Sequence, residues 1–443
     1  MNDALHRASP TGLKQSVGLT GVVTLGAGVA IGVSIFTVLQ PAAQVAGSGL
    51  LVALVLSIVP MVLFALAYAY LASIAPVSGA SYEWPRRYLH PLVGFSIAWT
   101  RILANVGVQV ILAQVFTRYL AMLIPVPVKP TMACLITLVF ALNYLGIALA
   151  ARVQIVLMTA LLVVLAAFVA VGAPFVSLAQ IGSPFDSSAA SIGACVVLMI
   201  TLFLGIESAV EIGEEVRDGR RTIPLGITLA VLLTAVVYAA VAITALGIVG
   251  PQRLAQSPVP LLEAARLPFG AWAVPVIVTA ALVSILKSMI SNALVFTRSL
   301  FAMARKDALP AALARIHPRF GTPHIAILTG WVCVMAGLFL PSDLVFLLLA
   351  VNVPTMVKYC ACSLSAVKAA NGERPAGAAP PILSRTTVTW VGYLGAVAAI
   401  AIILAGLEAD WRPHLLVLGW LAIGLVYWTV KHRLNPTVRL ETA

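Results

Sequence analysis

LLVALVLSIVPMVLFALAYAYLA, Leu50 to Ala72, runs for 23 residues without a charged side chain. The rest of the 443-residue chain follows suit: 61% of it is hydrophobic and 9% charged, with a mean hydropathy of +1.05. A soluble domain averages about 45–50% apolar and about 25% charged residues, so the solvent for most of this chain is lipid. Lipid offers no hydrogen bonds to exposed backbone, which leaves helices or a closed barrel as spanning structures. Barrel strands alternate apolar and polar residues over about 10 positions. The run from Leu50 does not alternate and is far longer. The fold class is therefore an all-α polytopic membrane protein.

Working outward, the rule of about 20 apolar residues per spanning helix gives about twelve spans. They lie near 18–41, 48–74, 91–123, 130–150, 153–178, 191–213, 225–249, 272–304, 323–341, 343–369, 387–407 and 413–431. Residues 1–17 read as a cytoplasmic tail with an uncleaved first helix behind it. Residues 18–369 form a ten-helix core, and 370–443 hold spans 11 and 12 and a second tail. The net charge of +12 invites a nucleic-acid reading. Its distribution favours the positive-inside rule instead. Nineteen of the 27 Lys and Arg fall at one set of span ends and loops, among them Arg7, Lys14, Arg298, Arg374 and Arg439, against five on the other side. That asymmetry predicts a multi-pass protein of the cell's inner membrane with both termini cytoplasmic and the lipid bilayer as its main partner. The remaining three cations, Arg101, Lys287 and Lys358, lie within spans. Cys134, Cys195, Cys333, Cys360 and Cys362 sit in apolar stretches without metal-ligand spacing, so packing is their expected role, and no metal or other cofactor is expected.

Spans 3 and 8 are the longest and lie five apart. Spans 1 and 6, also five apart, carry glycine-interrupted polar patches. Paired anomalies of this kind point to two five-span repeats with a ligand site between them. An odd-numbered repeat must invert, because each half begins on the opposite side. Span 1 reads LGAGVAIGVSIF from Leu25 to Phe36; Gly26, Gly28, Gly32 and Ser34 disfavour a continuous helix, each Gly costing about 1 kcal/mol relative to Ala. The alternative is that these glycines allow close helix packing. Span 6 reads TLFLGIESAVE from Thr201 to Glu211. A carboxylate such as Glu207 costs about 2.5–3.5 kcal/mol at mid-helix, so it needs either a partner or a function. It can serve as a ligand for an amine, as a proton carrier, or in a structural ion pair. Glu211, one turn on, is expected to face a cytoplasmic vestibule. Glu214, Glu215 and Asp218 beside Arg217, Arg220 and Arg221 read as an interfacial charge cluster, serving topology or a cytoplasmic gate.

Four motifs in order carry a family resemblance: AIGVSIF from Ala30 to Phe36, APVSGASYEW from Ala75 to Trp84, GIES with EEVRDGRRTIP from Gly205 to Pro224, and TRSLFAMAR with HPRFGTP from Thr297 to Pro323. The sequence resembles the amino acid–polyamine–organocation transporters. That resemblance implies the five-plus-five inverted-repeat fold of the bacterial leucine transporter, followed by two further helices, and alternating access without enzyme chemistry. It places a small-molecule substrate, an amino acid or organic amine, against Ile31, Gly32, Val33, Ser34 and Ile35 of span 1 and Phe203, Gly205, Ile206 and Glu207 of span 6. Two departures stand out. The usual Gly-Ser-Gly is Gly32-Val33-Ser34, and span 5 lacks the lysine of proton-coupled relatives, with Leu161 near its expected position. Lys287 of span 8, beside Ser288 at the family's sodium-site serine, is the expected surrogate for sodium; snorkelling or pairing with Glu207 or Glu211 is the alternative. Arg101 reads as an interfacial cation, and Lys358 has no assigned role.

The function implied is secondary transport, coupled to protons or working by exchange. A channel or an intramembrane enzyme is the competing class. A channel calls for a filter or pore-lining ring, and an enzyme for clustered His or paired carboxylates within the spans. The motifs carry no oligomeric state.

Overall fold

In hydrocarbon each apolar run must close its own backbone hydrogen bonds. The computed structural model accordingly shows helices joined by turns, with two isolated β-bridges among the described residues. The structure describes residues 13, 15–32, 34–183, 186–339, 344–372, 382–409 and 412–434. Both tails beyond those limits, and with them Arg7, Lys14, Arg374 and Arg439 of the predicted inner set, lie outside the described residues, as does Val33.

Among the described residues, ten helical stretches are long and apolar enough to cross a membrane: Leu19–Phe36, Leu39–Ile74, Pro91–Leu120, Val128–Leu145, Ile147–Phe175, Ala189–Glu211, Gly219–Gln256, Pro260–Arg305, Arg385–Leu404 and His414–Arg433. They are called spans 1–8, 11 and 12. The two other expected spans are also helical. Span 9, His324–Gly337, is apolar but has only 14 residues, and span 10 is Leu344–Asn371. Spans 2 and 8 begin earlier than expected, because the short helices Leu39–Ala46 and Pro260–Phe269 precede their long segments across turns at Gly47 and Gly270. Both glycines have positive φ (48° and 53°), which other residues adopt only at a cost.

The connections separate into two ends. At one end Ser78 pairs with Ile212 and Val17 with Val216, bringing together the segment before span 1, the turn after span 2 and the exit of span 6. At the other, Gln44 donates to the Ala255 carbonyl at 2.8 Å and Ser187 to the Ala46 carbonyl at 2.6 Å. Span 12 is fastened to span 3 by an aromatic stack. Trp99 and Trp420 lie 5.1 Å apart at 15°, and each indole N–H donates to the other's carbonyl, at 2.9 and 2.8 Å. Gly424 permits this contact, since a Cβ there would stand 2.4 Å from the Trp99 ring.

Candidate functional site

Span 1 is helical from Leu19 to Ala30, breaks at Ile31 and Gly32, and resumes at Ser34–Thr37. A helix that stops in the bundle leaves carbonyls without intrahelical partners, and their dipoles favour a cation. Span 8 supplies one. The Lys287 ammonium donates to the carbonyls of Gly28 and of Ile31, the latter at 2.7 Å. Ser284 donates to the Ile31 carbonyl at 3.1 Å, and Ser288 to that of Gly28 at 3.3 Å. Tyr238 of span 7 caps the Ala30 carbonyl. Lys287 is fully buried and donates to backbone carbonyls, so the pairing with Glu207 or Glu211 that the sequence left open is not what forms.

The glycines of span 1 divide between the two readings. Gly26 and Gly28 lie inside the helix and serve packing. A Cβ on Gly26 would meet the Ile206 carbonyl at 2.8 Å, and one on Gly28 would meet Gln154 Nε2 at 2.2 Å. Only Gly32, tight against Ser288 Oγ, belongs to the break. Gln154 is the polar residue of span 5 that faces this region, donating to the Thr24 carbonyl at 3.3 Å; Leu161, near the position expected for the family's lysine, is buried and apolar.

Span 6 breaks in a different way. The helix Ala189–Ile200 tightens to a 3-10 turn at Thr201–Phe203, Leu204 is extended, and Gly205 adopts φ 104° before a second 3-10 segment, Ile206–Glu211. Only glycine fits Gly205, for its φ and because a Cβ would stand 2.1 Å from the Val29 side chain. The break of span 6 therefore packs on the last helical turn before the break of span 1. Phe203 packs edge-to-face on Tyr238, with centroids 6.1 Å apart, and the same tyrosine caps span 1. Ile31, Ile35, Phe203 and Ile206 are buried, while Ser34 is half-buried.

Glu207 receives its partners from span 10. Lys358 pairs with Oε1, Tyr359 donates to Oε2 at 2.6 Å, and the Gly205 N–H reaches back to Oε2 at 3.0 Å. Phe64 stacks on Tyr359 at 4.7 Å, and Tyr68 packs edge-on against it at 5.8 Å. Arg101 bridges to span 10 through Thr355 Oγ1 at 2.8 Å and reaches Asn105 of its own span at 3.2 Å. The predicted residues thus fall into two adjoining clusters, Ile31, Gly32, Lys287 and Ser288 in one and Phe203, Gly205, Ile206 and Glu207 in the other. Tyr359, Tyr238 and Gln154 escape a reading of the sequence, because nothing in the apolar runs around them marks an inward face. For Tyr359 its neighbour Lys358 is the usable signal, as a charge inside a span needs a counter-ion.

Glu211 departs from its expected place. It is buried, accepts from the Ser81 hydroxyl, and its carbonyl accepts the Gly79 N–H at 2.9 Å. The acidic cluster after it reaches across to span 8. Arg298, expected at a cytoplasmic span end, is fully buried and holds Glu215 in two hydrogen bonds of 2.8 and 3.0 Å. Arg305 holds Glu214 at 2.8 Å. The Ser16 and Val17 N–H groups donate to the Glu215 carbonyl, and Arg217 N–H returns to Val17, so the segment before span 1 straps this end shut.

Comparison with known proteins gives this geometry a family. Residues 17–426 match the amino acid permease family. An uncharacterized transporter of Mycobacterium tuberculosis is 34% identical over 332 residues, covering 74% of this chain and 75% of that protein. A branched-chain amino acid permease of Bacillus subtilis is 25% identical, covering 95% of this chain and 94% of the relative. A vacuolar cationic amino acid transporter of Arabidopsis thaliana is 25% identical across 82% of this chain and 64% of its own length. The chain therefore belongs to the amino acid permease family of the amino acid–polyamine–organocation superfamily, and it is a membrane transporter, not an enzyme.

Proposed function

We propose that this protein is a secondary active permease that carries an amino acid or related organic amine across the cytoplasmic membrane by alternating access. The substrate sits where spans 1 and 6 break. The observation that carries this reading is that span 6 breaks at Leu204–Gly205 against Val29, in the last turn of span 1 before its own break at Ile31–Gly32, with Val29 filling the space that a Cβ on Gly205 would need. Broken helices concentrate unpaired backbone groups and dipole ends, which suit a small zwitterion. The five-plus-five inverted repeat is supported by the pairing of those breaks. It is supported also by the short helices Ala80–Tyr88 and Pro260–Phe269, which precede the long helices of spans 3 and 8, five spans apart. Residues 18–369 form this transport core, spans 11 and 12 flank it, and both termini lie in the cytoplasm, at the end that Glu215 and Arg298 close.

Lys287 and Ser288 form the coupling site. A buried ammonium on the carbonyls of Gly28 and Ile31 occupies the place of a bound cation between spans 1 and 8. Transport accordingly runs on protons or exchange. In proteoliposomes, uptake of a stabilising amino acid proceeds without sodium in the wild type, and Lys287→Met uncouples or abolishes it; strict sodium dependence of the wild type would sink the assignment. The substrate itself is found by thermal stabilisation of the purified protein with amino acids, polyamines and simple amines, since a bound ligand raises stability by mass action.

A further inference from the structure

The carboxylate of Glu207 lies at the break of span 6, where a cationic side chain of a substrate would find it, and it is already occupied. Lys358 takes Oε1, while the Tyr359 hydroxyl and the Gly205 N–H take Oε2. Lys358 is 1% exposed and Glu207 5%, so neither charge is neutralised by solvent. Beside the carboxylate, among Met61, Phe64, Tyr68, Ile206, Ile227 and Tyr359, the structure leaves a cavity of about 10 Å³, no more than one water fills. A second cation stands close by. Arg101 donates to Thr355, one helical turn before Lys358 on span 10, so spans 3 and 10 turn two positive charges toward this quarter of the site. The further carboxylate, Glu211, is held by Ser81 on the exit side of span 6.

Resting on the reading that substrate binds at the paired breaks, we propose that Lys358 is a built-in counter-ion that closes Glu207 to cationic substrate groups and restricts the permease to amino acids with uncharged side chains. A substrate carrying a side-chain ammonium or guanidinium would be desolvated beside Lys358 and Arg101 with no free carboxylate to receive it. Specificity by an unpaired charge against the wrong ligand is a general device, and an ion pair is costly to take out of water without full compensation. Tyr359 holds the carboxylate toward span 10, and its ring, with Lys358 Nζ 5.0 Å from the centroid, gives the ammonium a second favourable contact.

The test is uptake of leucine, arginine and putrescine measured side by side in proteoliposomes. The proteins are wild type, Lys358→Gln, Lys358→Arg and the double variant Glu207→Gln/Lys358→Gln. Glutamine keeps a donor for Glu207 and removes the charge, so this variant tolerates the change better than one with methionine. Wild type and Lys358→Arg are expected to prefer leucine over arginine by about tenfold or more, equivalent to about 1.4 kcal/mol. Lys358→Gln narrows that ratio by a similar factor, and the double variant, having lost the freed carboxylate, regains it. Wild-type uptake of arginine equal to that of leucine overturns the proposal, as does an unchanged ratio in Lys358→Gln. Phe203→Ala tests the location of the site separately: unchanged leucine affinity there refutes binding at the breaks, whatever Lys358→Gln does to the ratio.

Discussion

Two buried ion pairs leave span 6 within eight residues of each other, and they are built differently. At the closed end, Glu215 is gripped by the guanidinium of Arg298 through two parallel hydrogen bonds, with both side chains fully buried and the backbone of Glu215 tied to the segment before span 1. At mid-span, Glu207 meets the point charge of Lys358 through one oxygen and relies on Tyr359 and Gly205 for the other. A bidentate guanidinium fixes geometry as well as charge, whereas an ammonium presents a point charge on a flexible stem. The difference teaches where the molecule fixes how two spans meet and where it fixes a charge beside a helix break. The lock joins spans 6 and 8 at the end that the segment before span 1 straps, and the counter-ion pair joins spans 6 and 10 at the helix break.

Substitutions at three positions break or sharpen that contrast. The largest effect is expected from Arg298→Met, which leaves Glu215 as a buried unpaired charge and lowers stability by about 3–5 kcal/mol. Denaturant or thermal unfolding in detergent reads this, and Arg298→Lys should recover little of it, because lysine cannot make the paired hydrogen bonds. A near-normal melt for Arg298→Lys would show that charge alone closes this end. Tyr359→Phe comes next. It removes one hydrogen bond to a charged group and should cost about 1.5–3 kcal/mol, while changing substrate affinity, which Arg298→Lys should leave alone when measured on folded protein. Equal effects of the two on affinity would erase the distinction between lock and site. The smallest change is Ser288→Ala. It deletes a neutral hydrogen bond to the Gly28 carbonyl while Lys287 still covers that oxygen, so a loss of about 0.5–1.5 kcal/mol is expected. A much larger loss of stability would mean that Ser288, not Lys287, holds the broken end of span 1.

The two broken spans differ in how far they can be read from residues alone. Gly205 announces its break, since the glycine, Glu207, Ser208 and Glu211 all lie close together in an otherwise apolar span. Span 1 is harder, because Gly26, Gly28 and Gly32 look alike in sequence. Only the neighbours sort them, a carbonyl of span 6 against Gly26, Gln154 against Gly28 and Ser288 against Gly32. The acidic cluster after span 6 reads in sequence with its own arginines, yet its ion pairs reach Arg298 and Arg305 of span 8.

By itself the sequence determined that this chain lives in a membrane, that it crosses as long apolar helices, and which glycines and charges interrupt them. Those properties are local: the transfer cost of each residue and the obligatory pairing of each backbone group decide them within about 20 residues. Tertiary structure alone decided who pairs with whom. Lys358 meets Glu207 from 151 residues away, Arg298 meets Glu215 from 83, and Lys287 meets Gly28 from 259. Lipid is as apolar as leucine, so hydropathy gives no preference for one helix contact over another. Close packing at small residues and the need to satisfy buried charges make that choice.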